Sequence, residues 1–159
     1  MKNVMLYPME QRVAVHTQAR VLDALLAEEL NVLMACGGHG LCATCHVWVD
    51  AGMEELTPLT EREKRTLGWV TGANVRSRLA CQVKVLGDGV VVSVPEGMYV
   101  ESTQNLEKLI GQRAMVNVLH PIDGRVLIQK GKIITRSRIM ELASIDFDMA
   151  QLRAKIAKG

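Results

Sequence analysis

Aromatic side chains are scarce in this chain: two Trp, two Tyr and one Phe, 3% of its 159 residues. That scarcity, with basic residues scattered along the sequence, excludes a nucleic-acid platform, which needs stacking rings in a basic groove. No apolar run approaches the ~18 residues that cross a bilayer as a helix, so no membrane span is expected. The start, Met1 to Pro8, lacks the apolar stretch and small-residue cleavage site of an export signal, and a reducing, cytoplasmic setting is the expectation. No nucleotide-binding Gly-rich loop is present, so the chain is not its own NAD(P)H reductase. A strong charge of either sign is missing as well, the net being +2. The balance is uneven, however. Residues 1–100 carry nine Lys/Arg against eleven Asp/Glu, and residues 101–159 carry ten against six. This shift places a boundary near Glu101-Ser102-Thr103.

Cysteine is also rare, with four in all, and their placement organises everything else. Three lie in Cys36-Gly-Gly-His-Gly-Leu-Cys42-Ala-Thr-Cys45, a C-x5-C-x2-C spacing, and the fourth, Cys81, comes after 35 residues. Three thiolates on one tight loop can grip a small inorganic core from one side while a fourth closes it from the other. Gly37, Gly38 and Gly40 let the backbone turn sharply, because Gly reaches positive φ at little cost. They also bring main-chain N–H groups toward the core's sulfurs, where such bonds stabilise negative charge. Four thiolates in three-plus-one order suit a [2Fe–2S] cluster, whose plant-type form has a first gap one residue shorter. Cys36, Cys42, Cys45 and Cys81 are the expected ligands. Gly37, Gly38, Gly40, Ala43 and Thr44 are expected around them. Structural zinc is the competing reading, but such sites draw on two C-x2-C knuckles and this chain has one. Disulfides compete less well, since a chain this long need not staple itself. His39 and His46 could replace two thiolates as in Rieske centres, yet four cysteines already fill the ligand count.

The motifs Ala43-Thr44-Cys45-His46-Val47 and Arg78-Leu79-Ala80-Cys81-Gln82, with the five-residue first gap, resemble the adrenodoxin-like and related bacterial [2Fe–2S] ferredoxins. The likeness covers roughly residues 3 to 97. It implies a β-grasp fold, a cluster close to the surface under the 37–44 loop, and electron passage to a docked partner. In that family an acidic helix between the third and fourth cysteines contacts partners. The corresponding segment here, Glu61-Arg-Glu-Lys-Arg65, is mixed in charge and reads as a solvated face, with part of a partner-docking surface as the alternative.

The rest of the pattern suits an α+β chain. Residues 3–7 and 12–16 read as strands, and Thr17 is a candidate N-cap for the first helix. Val21, Leu22, Leu25, Leu26 and Leu30 make one apolar helical stripe that would cover a sheet. His46 to Asp50 is a third strand. Thr60 with Glu63 three residues on is a capping box opening a helix over 61–67. Residues 82–86 and 90–94 read as a hairpin around Gly87-Asp-Gly89. After the ferredoxin-like unit of residues 1–100, residues 101–159 form a small mixed α/β extension. In it a helix starts near Leu106, His120-Pro-Ile-Asp-Gly124 marks a turn, and 125–129 pairs with 133–134. Ile139 and Leu142 sit on one later helix, with Met149, Leu152 and Ile156 on another. A lone hairpin cannot bury itself, so this module must pack on the first unit, on a partner or on a second copy as a homodimer.

Thiolates and bridging sulfides fill every iron position of a [2Fe–2S] core, which leaves no site for Lewis-acid catalysis. The chain is therefore expected to be no enzyme but an electron carrier between a reductase and an acceptor enzyme. An iron–sulfur regulator, or the electron-input subunit of a larger oxidoreductase, are the alternatives.

Overall fold

The computed structural model describes residues 1–27, 38–95, 97–100 and 102–158. Alternation builds the first hairpin. In β1 (Lys2–Tyr7) Val4 and Leu6 point inward, and in β2 (Gln11–Val15) Val13 and Val15 do so, which sets the antiparallel register Val4 to Val13. Helix α1 (Val21–Ala27) lays Val21, Leu22 and Leu25 on that face. The helix begins four residues beyond Thr17, and its first turn is fastened by the Asp23 carboxylate accepting from the Arg20 N–H at 2.9 Å. Leu30 lies outside the described residues.

β3 (His46–Ala51) leaves the cysteine loop, and α2 (Glu61–Leu67) comes next with the expected capping box at Thr60. β4 (Ser77–Leu79) pairs with β3, and β5 (Val90–Ser93) lies between β3 and β1. The five-stranded sheet runs β2-β1-β5-β3-β4, with β1 and β5 parallel and the other neighbours antiparallel. With α1 packed across it, this is the β-grasp arrangement.

The expected hairpin around residues 87–89 does not form. Residues 83–85 instead run beside the start of α1: Val83 O accepts from Val21 N at 3.0 Å, and Val85 N donates to Ala19 O at 2.8 Å. Lys84 O takes Thr57 N from the other side. Val83 and Val85 are fully buried there, so packing on the helix outweighs the local turn signal. β5 is thereby released to fill the sheet's centre.

The tail builds a second sheet, β6-β7-β8, in which β6 (Met98–Tyr99) comes from just before the expected boundary at 101, and β7 (Val118–Leu119) and β8 (Val126–Ile128) come from the tail itself. β8 pairs with β7 across the 120–125 turn, while Ile133 bridges to Arg113, so the expected 125–129/133–134 pairing is replaced. Three helices complete it: α3 (Gln104–Glu107), α4 (Arg136–Glu141) and α5 (Ser144–Lys158). On α5, Ile145, Met149 and Leu152 share one face and are buried with Leu106, Val118, Ile134 and Ile139. Each such side chain contributes about 1.5–3 kcal/mol on burial. Cys42 and Leu41 of the cysteine loop belong to this second core. The tail is seated on the loop.

Candidate metal centre

After Cys42, in extended backbone at φ −143° and ψ 170°, Ala43–Cys45 form one tight helical turn. Cys42, Cys45 and Cys81 are all buried, exposed by 1%, 2% and 4%. Cys36 and Gly37 lie outside the described residues. Among the described residues no three His, Cys, Asp or Glu side chains close on one metal position; the expected ligand set extends beyond them to Cys36. The chemistry around the three sulfurs suits a sulfur-rich, negatively charged group. The Thr44 hydroxyl lies 3.0 Å from Cys42 Sγ, and Gln82 Nε2 donates toward Cys81 Sγ at 3.5 Å.

Several contacts hold the loop in place. Gln82 Nε2 also donates to the Gly38 carbonyl at 3.0 Å, tying the loop to the Cys81 segment. Ala80 N donates to Cys45 O at 2.8 Å. Gly38 and Gly40 both take positive φ, 83° and 71°, as their sequence suggested. The conformation at Gly40 favours glycine, and a Cβ there, 2.9 Å from the Gln82 side chain, would push that side chain aside. Helix α2 grips the loop's carbonyls: Arg62 donates to His39 O at 2.9 Å, and the Thr66 hydroxyl donates to Gly40 O.

Within the segment expected to be a solvated face, Glu63 does the opposite. It is fully buried and forms a two-bond ion pair with Arg78, Nε to Oε2 at 2.9 Å and Nη2 to Oε1 at 3.0 Å. It also accepts from Leu79 N at 3.2 Å. The reason is geometric: as third residue of a capping box it sits on the face of α2 that meets β4. One carboxylate thus joins the helix holding the loop to the strand leading into Cys81.

His46 points away from the sulfurs' chemistry. Its Nε2 is 2.8 Å from Ser77 Oγ, its ring meets Trp48 edge-on at 4.9 Å, and burial pushes its pKa down to about 4. His39 is exposed on the loop.

The resemblance implies a cluster close to the surface under the 37–44 loop, and part of that loop is not left to solvent. Cys42, Ala43 and Thr44 are covered, because the 120–124 turn of the tail lies over them. Pro121 O accepts from Ala43 N at 3.0 Å, and Asp123 O accepts from Thr71 N at 2.7 Å. A Cβ on Gly124 would touch the Ala43 methyl at 3.5 Å. His120, 2% exposed, holds this turn: its Nδ1 accepts from Ile122 N at 3.1 Å, so Nε2 carries the hydrogen donated to Asp148 of α5 at 2.9 Å. Tyr99 on β6 is a further neighbour. Burial, then the negative charge of Cys42 and Cys45, holds its hydroxyl well above the ordinary tyrosine range. The sequence marked the 120–124 turn, but nothing in it placed that turn or Tyr99 beside the cysteine loop, since both reach it only through the tail's fold.

Over residues 4–86 the chain matches the family described as 2Fe-2S iron-sulfur cluster binding domain. The 2Fe-2S ferredoxin of Pseudomonas aeruginosa is 36% identical over 76 residues, which is 48% of this chain and 68% of that protein. Rhodocoxin of Rhodococcus erythropolis is 36% identical over 92 residues, 55% of this chain and 86% of that one. Among solved structures, the ISC-like [2Fe–2S] ferredoxin of Pseudomonas putida aligns with a TM-score of 0.56 at 30% identity, covering 60% of this chain and 93% of that chain.

Proposed function

The chain belongs to the [2Fe–2S] ferredoxin family and its cofactor is a [2Fe–2S] cluster; from that premise we propose that it carries single electrons from a reductase to an acceptor enzyme. Cys36, Cys42, Cys45 and Cys81 would supply the four thiolates. The observation that carries this assignment is the burial of Cys42, Cys45 and Cys81 within one braced region, with Thr44 and Gln82 set against two of the sulfurs. When bound, the cluster supplies a reversible one-electron couple. The chain's own part is to hold the thiolates rigidly and to keep water from Cys42. Thr44 and Gln82 place polar hydrogens where added negative charge would be stabilised. Gly38 and Gly40 allow the loop's turn, and Ala43 anchors it to the tail.

Residues 1–100 would be the carrier unit and residues 101–159 a cover that sets partner choice. The tail's apolar side is met by Leu41 and Cys42 of its own chain, which favours a cover over a homodimerisation element. A regulator or an electron-input subunit would use the same cluster and would differ in what the tail contacts.

Reconstitution with iron and sulfide, then reduction by a flavoprotein ferredoxin reductase with cytochrome c as acceptor, tests the reading. Electron flow through the wild-type chain is expected. Separate replacement of Cys36, Cys42, Cys45 and Cys81 by Ala should each abolish it along with bound sulfide. Full flow in any of these four variants would overturn the ligand assignment.

A further inference from the structure

With the 120–124 turn over Cys42 to Thr44, the part of the described loop left toward solvent is His39, with Gly38 and Leu41 half-buried beside it. His39 and Leu41 open into a hollow of about 280 Å³ whose other walls are Arg62, Arg65 and Thr66 of α2, the adjoining Trp69, and Lys155 and Ile156 of α5. Three of its walls are cationic and none is acidic. The sequence of α2 conceals this polarity. Glu63 is turned inward onto Arg78 and Glu61 is paired with Lys64 at 3.4 Å, so Arg62 and Arg65 face outward without a carboxylate between them. Lys155 comes from the other unit and stands 6.0 Å from the centre of the Trp69 ring, a cation–π distance. Tail and helix therefore build one basic, partly aromatic rim around the loop's open edge.

We propose that this hollow is the docking site for a redox partner, and that the partner presents carboxylates to it. The inference rests on the electron-carrier reading for its purpose, and on charge complementarity for its chemistry. Electrons would leave past His39 and Leu41, because the Cys42–Thr44 side is closed. Arg62 already serves the loop through His39 O, so Arg65 and Lys155 are the residues whose main role is to meet the partner.

Two probes test it on the full-length, cluster-loaded protein. The first is a fluorescein-labelled octaglutamate peptide followed by anisotropy. The second is stopped-flow oxidation of the reduced protein by hexacyanoferrate(III), which takes one electron and becomes hexacyanoferrate(II), against cationic hexaamminecobalt(III). Arg65→Glu/Lys155→Glu should weaken peptide binding and slow hexacyanoferrate(III) on the order of tenfold, and should speed the cobalt complex. Lys130→Glu/Lys132→Glu, exposed on the tail and equal in net charge change, should do neither. Equal effects from both pairs, or none from the first, would overturn the docking site. A chain without a reducible cluster whose peptide binding still depends on Arg65 and Lys155 would keep the docking site for carboxylates and sink the carrier reading instead.

Discussion

Gly40 shows how tightly single residues bind the loop to its surroundings. Its φ of 71° and the 2.9 Å approach of Gln82 act together, so Gly40→Ala should cost about 1–2 kcal/mol for the left-handed backbone before any steric term. Thermal unfolding of the loaded protein would read that loss, and an unchanged midpoint would contradict it. Glu63 is the stronger case. Glu63→Ala leaves the Arg78 guanidinium buried and unpaired, a loss of about 3–5 kcal/mol. Glu63→Leu/Arg78→Met removes both charges and should recover about half of it. The remainder, about 1–3 kcal/mol, is the Leu79 N–H and the capping-box Thr60 N–H left without their acceptor. Urea unfolding of the three proteins separates these terms. The [2Fe–2S] cofactor was legible in the sequence because the cysteine spacing suits it, and Gly38 and Gly40 because positive φ demands a narrow residue type. Glu63 was not. A capping-box glutamate looks the same from sequence whether its helix faces water or a strand.

Elements were legible where a local signal also served the global fold. The capping box at Thr60 opens α2 where expected, and α5 carries its 3.6-period stripe. Strand partners were misread where two signals competed. Gly87-Asp-Gly89 is good turn chemistry, yet Val83 and Val85 gain more from burial beside α1 than from pairing with β5. The same holds for β8, which takes the strand across the His120 turn rather than the one across Gly131. That turn is the element on which the loop's cover depends. His120→Ala removes a hydrogen bond to the Asp148 carboxylate, worth about 2 kcal/mol. Local opening of the turn should then be roughly thirtyfold more frequent. The amides of Ala43 and Thr71, which donate to Pro121 and Asp123, should exchange with deuterium faster by a similar factor. Unchanged exchange at both amides would mean that something other than His120 holds the turn.

At the scale of the molecule, the tail converts a ferredoxin-like unit into one with a closed side and an open one. A shift in charge suggested a boundary near Glu101 but gave no sign of where the tail would sit, because the tail meets the loop through main-chain bonds from a turn and through packing on Leu41 and Cys42. Cys42 is buried in the tail's core, whereas Cys45 and Cys81 are buried in the first. Deleting residues 103–159 should therefore uncover Cys42, and iron loss to a chelator such as bathophenanthroline should accelerate relative to the full chain. Equal rates would show that the first unit shields its own cluster. The central claim, a reducible [2Fe–2S] cluster held by these four cysteines, is most directly tested by electron paramagnetic resonance on anaerobically purified protein before and after dithionite, with iron and sulfide assays alongside. The account predicts a silent oxidised state, a rhombic spin-half signal on reduction, and about two irons and two sulfides per chain. Zinc without sulfide, after expression with ample iron, would contradict it and make the cysteines a structural clasp.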